Sequence, residues 1–338
     1  MKPALAALLL WPALILLTGC GERREAPELI AEPVVLDPAD PDRSEVGELV
    51  YRGGLVLSSD EERFGGISAI EISRDGSHIL ALSDRGAWFT FSLSHDQDAR
   101  LAGAHGLRIH DLLDADGRAL SGPDADAEGL APLGGGRYAV SFERNHRIEV
   151  YDLGEDWAQL DSAYAEPFPT PPGAERLRDN AGLEALVPLD DGALLAGIEL
   201  PIIDGRPHTF WRLEDGEATA QAVRLEPGFG LTALARVPED APQRPGALLA
   251  VERFWSRDIG NRIRVSILAE QDGSGSGELT GRPELLAELT PDMTVDNIEG
   301  LAIAVVNGEA RLFLIADDNF NARQRTLLLS FALTGRAS

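Results

Sequence analysis

Short apolar runs recur along this chain at intervals of roughly 8 to 15 residues, broken by Gly, Pro, Asp or Asn, with no sustained helical period. Such spacing predicts an all-β protein. The runs fall into groups of four. The first is Ile67–Ile72, His78–Ser83, Ala87–Leu93 and Leu107–Asp111; the second is Leu130–Leu133, Arg137–Phe142, Arg147–Asp152 and a weak run near Ala163–Phe168. The third is Ala185–Leu189, Ala193–Ile198, Thr209–Leu213 and Ala222–Leu225, and the fourth is Leu234–Val237, Ala247–Val251, Arg262–Leu268 and Glu284–Leu289. The last, Leu301–Val306, Arg311–Ala316 and Thr326–Ala332, holds only three runs. Between first and second runs stand hairpin signals: Arg74-Asp75-Gly76, Gly134-Gly135-Gly136, Asp190-Asp191-Gly192 and Asn307-Gly308.

The groups are copies of one unit. An acid, a small residue and a leucine open three of them: Glu128-Gly129-Leu130, Glu184-Ala185-Leu186 and Glu299-Gly300-Leu301. After a turn, each copy has an apolar run that ends on a second acid, at Glu143, Glu199 and Asp317. Two altered copies run from Gly65-Gly66-Ile67 to Asp84 and from Thr232-Ala233-Leu234 to Glu252, so that Gly65 and Thr232 replace the first acid. A period of roughly 50–65 residues belongs to propeller blades rather than helical solenoids. The expected fold is a β-propeller of five four-stranded blades, with six as the alternative. Glu48–Ser58 precedes the first copy and has no blade of its own, so it is expected to pair with Thr326–Ala332 and close the ring. The Gly273–Gly277 run reads as a loop after the third strand of copy four, and its central Gly275 excludes a nucleophile elbow.

Lys2, an apolar stretch from Ala4 to Leu17 and then Leu17-Thr18-Gly19-Cys20 read as an export signal, too short to span a bilayer. Leu-Thr-Gly-Cys resembles the bacterial lipobox, which implies cleavage after residue 19 and lipidation of Cys20, the sole cysteine. Gly21 in place of Asp favours the outer membrane, facing the periplasm. Residues 20–47, rich in Pro, Glu, Asp and Arg, read as a tether, and 48–338 as one domain. The net charge of −26 argues against nucleic acid and against anionic lipid, leaving the acyl anchor as the only membrane contact of a monomer.

In an antiparallel hairpin the start of strand one lies beside the end of strand two. Glu128 with Glu143, Glu184 with Glu199, and Glu299 with Asp317 are therefore expected to meet at one mouth of the central channel. Asp126 alternates with Glu128 and points the same way. Crowded carboxylates cannot all stay ionised without a cation or arginine partners. In one reading these acids bind calcium or another divalent cation, while Arg85, Arg144 and Arg253 hold a small anionic substrate such as a phosphate ester. In the other, acids and arginines of neighbouring blades only tie the ring together. Scattered histidines and the absence of a Cys cluster give a zinc hydrolase little support, and no motif calls for an organic cofactor. Of the histidines only His146 stands near the mouth. Trp88, Trp211 and Trp255 read as blade core.

The stretches Phe64-Gly65-Gly66-Ile67-Ser68, Asp126-Ala127-Glu128-Gly129-Leu130, Asn180 to Leu186, Asp296 to Leu301 and Asp317-Asp318-Asn319-Phe320 together resemble the bacterial family described as esterase-like activity of phytase. The resemblance runs from about Glu48 to Ala332. It implies a secreted or tethered propeller with phosphoesterase or esterase activity, and adds Asn319 to the candidate substrate contacts. The leading expectation is a cation-dependent phosphoester (or ester) hydrolase. The alternative is a non-catalytic propeller that binds a ligand or partner in the cell envelope.

Overall fold

The computed structural model describes residues 26–268, 279 and 282–335. The export signal, Cys20 and the Gly273–Gly277 loop lie outside the described residues. Among the described residues, twenty-two strands and four single-turn 3₁₀ segments make up the regular structure. They are β1 (Ile30–Val34), β2 (Glu45–Val46) and β3 (Leu49–Ser58), followed by the blades in chain order. Blade one is β4 (Ile67–Ile72), β5 (His78–Ser83), β6 (Ala87–His95) and β7 (Leu101–Asp111). Blade two is β8 (Ala127–Gly134), β9 (Arg137–Phe142), β10 (Arg147–Asp152) and β11 (Glu166–Phe168). Blade three is β12 (Leu183–Pro188), β13 (Leu194–Ile198), β14 (His208–Glu214) and β15 (Glu217–Val223). Blade four is β16 (Gly230–Arg236), β17 (Leu248–Ser256), β18 (Gly260–Leu268) and β19 (Glu284–Leu289). Blade five takes β20 (Ile298–Val306), β21 (Glu309–Ala316) and β22 (Thr326–Leu333) from the end of the chain and β3 from its beginning.

Every blade is an antiparallel meander, and the innermost strands β4, β8, β12, β16 and β20 touch in succession until β20 meets β4. The ring has five blades. Its closure is the expected one, with Thr326 opposite Leu57 and Leu333 opposite Leu49. A sheet face can bury its apolar side chains only against another face, and here each blade packs on the next. Five apolar cores result, one at each interface; Trp88 stacks edge-on against Tyr151 between blades one and two.

The tether boundary needs correction. Within the segment 20–47, β1 pairs with β3 from Ile30 opposite Ser58 to Val34 opposite Gly54, as an extra outer strand of blade five. Leu29 and Leu36 are buried, the Tyr51 hydroxyl donates to the Val34 carbonyl at 2.6 Å, and the Thr294 amide donates to that of Leu36 at 2.7 Å. Pro33 is tolerated because β1 is an edge strand, and its Glu and Pro content hid it in the sequence. Trp255 is a second correction: Trp88 and Trp211 are buried, but Trp255 is 64% exposed.

Candidate functional site

The inner strand of every blade carries a β-bulge at the same place. On β8, Ala127 faces Phe142 and Gly129 faces Ser141, leaving Glu128 as the extra residue. The same break leaves Glu184 on β12, Thr232 on β16, Glu299 on β20 and Ser68 on β4. A bulge re-aims the unpaired side chain, and here Ser68, Glu128, Glu184 and Glu299 reach one mouth of the ring. The residue after each bulge is small because the neighbouring blade crosses there. A Cβ on Gly129 would lie 2.4 Å from the Ser141 Oγ and 3.0 Å from the Glu184 carbonyl oxygen. That contact explains the recurring acid–small–leucine phrase. Inter-blade hydrogen bonds fix the same level: the Ser68 hydroxyl donates to the Ala127 carbonyl, and the Ser141 hydroxyl to that of Leu183, both at 2.6 Å.

The register corrects two sequence assignments. The blade-one counterpart of Glu128 is Ser68, not Gly65. In blade four, Leu231 faces Glu252, so Arg253 takes the place held by Asp84, Glu143, Glu199 and Asp317 elsewhere. Glu252 is fully buried, accepting from the Ser266 hydroxyl at 3.1 Å and the Glu226 amide at 2.7 Å, and stands apart from the mouth. Two rings result: an inner one of Ser68, Glu128, Glu184, Thr232 and Glu299, and an outer one of Asp84, Glu143, Glu199, Arg253 and Asp317.

These rings line a cavity of about 230 Å³, joined by Asp126, Arg144, Asn180, Asn297 and Asn319; Thr232 is buried behind it. All seven expected acids, Glu128, Glu184, Glu299, Glu143, Glu199, Asp317 and Asp126, come together there, as do Arg144, Arg253 and Asn319. Arg85 does not. Its guanidinium stacks 3.3 Å over the Phe320 ring, outside the lining. Asp84, Ser68, Asn180 and Asn297 were missing from the expected set. Asp84 was legible as the acid ending its copy; the two asparagines had no repeat signal. His146 also stays out of the lining, its ring against Gly182.

Eight carboxylates face two guanidinium groups in this cavity. Arg253 bridges Glu199 at 3.2 Å and Glu299 at 2.9 Å and also donates to Asn297, so it ties blades three, four and five together. Arg144, half exposed, pairs with Asp126. Among the described residues, Asp84, Glu128, Glu143, Glu184 and Asp317 have no ion pair with arginine. The two sequence readings therefore partition: Glu199, Glu299 and Asp126 pair with arginine as struts would, while Asp84, Glu128, Glu143, Glu184 and Asp317 are uncompensated.

Burial and mutual repulsion suppress their ionisation. Glu128 is raised well above the usual carboxylate range by burial, then by the charges of Glu143 and Glu299. Glu184 is raised likewise, by burial and by Glu128 and Glu143. Burial lifts Glu299 to about 8 even though Arg253 opposes it. Asp84 reaches about 7 through burial and the charges of Asp317 and Asp126. Glu143 also reaches about 7 through burial, held down by a hydrogen bond with Glu184 and by the Gly182 amide, which donates at 2.5 Å. Burial takes Asp317 to about 6. The Asp84 Oδ1 is buried with no hydrogen-bond partner among the described residues. Carboxylate oxygens of Asp126, Glu128 and Glu143 lie within 4.8 Å of one another, a spacing and donor hardness that suit a divalent cation.

Solved structures with this architecture include an α-L-arabinofuranosidase from Podospora anserina, at TM-score 0.50 and 12% identity, covering 87% of this chain and 98% of that one. An aldose sugar dehydrogenase from Streptomyces coelicolor, solved with PQQ, gives TM-score 0.45 at 12% identity over 90% of this chain and all of its own. An endo-arabinase from Bacteroides thetaiotaomicron gives 0.46 at 13%, over 80% and 94% of the two chains. At 12% identity the likeness to the arabinofuranosidase is one of fold. No curated protein matches the sequence. The model of the phytase-like family, described as esterase-like activity of phytase, matches residues 62–320, spanning all five blades and both rings, and the chain belongs to that family.

Proposed function

We propose that the protein is a cation-dependent hydrolase of phosphoesters (or esters) of a small anionic substrate, working at the acidic mouth. One observation carries the reading: eight carboxylates line one small cavity that has only two arginines, and five of them, Asp84, Glu128, Glu143, Glu184 and Asp317, have no ion pair with arginine among the described residues. Struts do not need such an excess, whereas a hard cation does. Asp126, Glu128 and Glu143 would hold the ion, with Glu184 beside them; calcium suits their all-oxygen donor set. When bound, the ion would neutralise the anionic group and acidify a water.

The remaining chemistry belongs to the chain. Glu184, hydrogen-bonded to Glu143 beside the proposed ion, is placed to accept a proton from an attacking water once the ion has drawn it into its carboxylate form. Arg253, held between Glu199 and Glu299, offers fixed positive charge to an oxygen that becomes more negative. Arg144 stands at the solvent edge, where an anion arrives.

Metal analysis of the purified protein, followed by turnover of a generic phosphate ester with and without chelator, tests the proposal. Chelator-sensitive turnover is expected. Bound metal without turnover of phosphate or carboxylate esters would favour a binding propeller instead. Export is proposed on the Cys20 lipobox: acyl labelling should be lost in Cys20→Ala, and equal labelling would end that part.

A further inference from the structure

A second cavity of different character adjoins the acidic mouth. It encloses about 300 Å³ between residues 200–208, which connect β13 to β14, and residues 224–229, which lead into β16. Glu199 lines the first cavity and Leu200 the second, so one step of backbone separates them. The 200–208 loop is pinned to the ring where it returns: His208, buried at the start of β14, donates from Nε2 to the Glu199 carbonyl at 3.1 Å. The cavity wall is stiff and apolar, built from Leu200, Pro201, Pro207, Leu225, Pro227 and Phe229. Phe229 is itself braced by Phe254 of β17, with ring centroids 5.6 Å apart.

The charges around this wall are unevenly satisfied. Its acids are engaged elsewhere: Asp204 pairs with Arg178 at 3.0 Å and Glu226 with Arg264 at 3.4 Å. Its two arginines, Arg206 and Arg224, are exposed and make no ion pair among the described residues. Exposed Arg108, Arg257, Arg282 and Arg323 are likewise without an ion pair among the described residues, but Arg206 and Arg224 are the two that line a concave apolar wall. At the tip of the same loop Ile202 and Ile203 are 56% and 64% exposed. Two adjacent large aliphatic side chains in water beside a concave apolar wall mark a surface that meets a ligand.

We propose that this cavity is a subsite for the non-reacting half of the substrate, and that this half is an apolar group of one or two rings bearing its own anionic substituent. The apolar wall takes the rings, and Arg206 and Arg224 take the second charge. Remote anchoring of this kind supplies binding energy that the acid-lined mouth alone cannot give to an anion. The inference rests on the hydrolase reading for what the neighbouring mouth does, but not for what the cavity binds.

The test separates the two. Naphthalene-2-sulfonate is titrated calorimetrically into the chelated full-length protein, its Arg206→Ala/Arg224→Ala variant and an Arg74→Ala control, with melting curves to confirm folding. Saturable binding is expected to wild type and control alike, and at least tenfold weaker binding to the double variant. Turnover of an aryl phosphate with a ring carboxylate is then compared with that of its uncarboxylated counterpart in the presence of calcium. The wild type should prefer the carboxylated ester roughly tenfold in kcat/KM, and the double variant should lose that preference. Equal binding of the sulfonate by wild type and double variant, or none by either, would overturn the subsite even if both esters are hydrolysed. Binding that depends on the two arginines, without turnover of any ester, would overturn the hydrolase reading and leave the subsite standing.

Discussion

Raising the pH from 6.5 to 8.5 in the presence of chelator should destabilise this protein, and the site predicts by how much. Each mouth acid has a folded pKa above its unfolded value, so the folded state keeps a proton that the unfolded chain has lost. Stability is then full below the unfolded pKa and declines as pH rises toward the folded one, at up to about 1.36 kcal/mol per unit for each group. Glu299, at about 8, titrates inside the window and should cost about 2 kcal/mol across it. Glu143 and Asp84, both at about 7, are half-way through and add about 1 kcal/mol each. Asp317, at about 6, is nearly finished. Because these groups share protons, roughly 4 kcal/mol is the sum for independent sites; Glu128 and Glu184, raised further, steepen the same slope. Outside the mouth, burial lifts Glu71 to about 8 as well, so it adds about 2 kcal/mol of the same sign, and the mouth's share is the part that calcium restores. His208, which burial lowers to about 4, opposes the trend only below the ordinary histidine range, and Lys2 is the only lysine. At roughly 2 °C per kcal/mol for a domain this large, the mouth's share of the fall in Tm in chelator should be about 4–8 °C by scanning calorimetry. Millimolar calcium at pH 8.5 should restore that share, since a ligand of the folded state stabilises by mass action. A chelated Tm that is flat or rising over this range would show that the mouth acids are ionised and satisfied without a cation.

Other outcomes follow from the same geometry. Glu128→Gln should weaken calcium affinity at least tenfold by calorimetric titration while raising the chelated Tm at pH 8.5, because one crowded carboxylate is gone; lower stability with unchanged affinity would make Glu128 a strut. Arg253→Gln should destabilise by about 3–5 kcal/mol at pH 8.5 in denaturant unfolding, and by less at pH 5.5, where Glu199 and Glu299 can take up protons; equal losses at both would deny the bridging role. Ser141→Ala, which removes the hydroxyl between Gly129 and Leu183, should cost about 1–3 kcal/mol at any pH by the same method. Deleting residues up to Val34 should lower Tm by several degrees, since it strips β1 from β3 and leaves Tyr51 without its acceptor; an unchanged Tm would return that segment to a tether.

The architecture was legible because blade strands are short, apolar and separated by strong turn signals, and because the acid–small–leucine phrase marks a packing constraint. The small residue sits where the next blade crosses, so the phrase survives wherever that crossing does. β1 escaped because Ile-Ala-Glu-Pro-Val does not alternate, and its order comes from Leu29 and Leu36 on either side. The ring positions were read in register in blades two, three and five and out of register in one and four for a single reason. Matching acid to acid, or glycine to glycine, ignores the bulge that sets the register. With the small residue as the guide, Ser68-Ala69-Ile70 and Thr232-Ala233-Leu234 line up and Arg253 falls into the outer ring. The neighbouring cavity was not legible, because its walls come from two connections that belong to no repeat.

That register gives the departures from fivefold symmetry a chemical order. The bulge residues are hydroxyls in blades one and four and glutamates in two, three and five; the outer ring is acidic everywhere except at Arg253 in blade four. Glu128 and Glu143, which have no arginine, therefore converge with Asp126 on one side, where only the half-exposed Arg144 reaches in to Asp126, and the Arg253 guanidinium stands on the other, clamped by Glu199 and Glu299. A symmetric ring of acids could hold a cation but could not orient an anion beside it. A ring with its acids on one side and a fixed arginine on the other can, because the anion is drawn between unlike neighbours and has one low-energy direction. The cavity bounded by the 200–208 loop begins one residue beyond Glu199, the partner of Arg253. An ester held with its reacting group between the acids and Arg253 would thus carry its organic half toward Leu200 and Phe229, away from the carboxylates. Under the proposed reading, the place of Arg253 in the ring and that of the second cavity favour the same binding direction, although they arise from different segments of the chain.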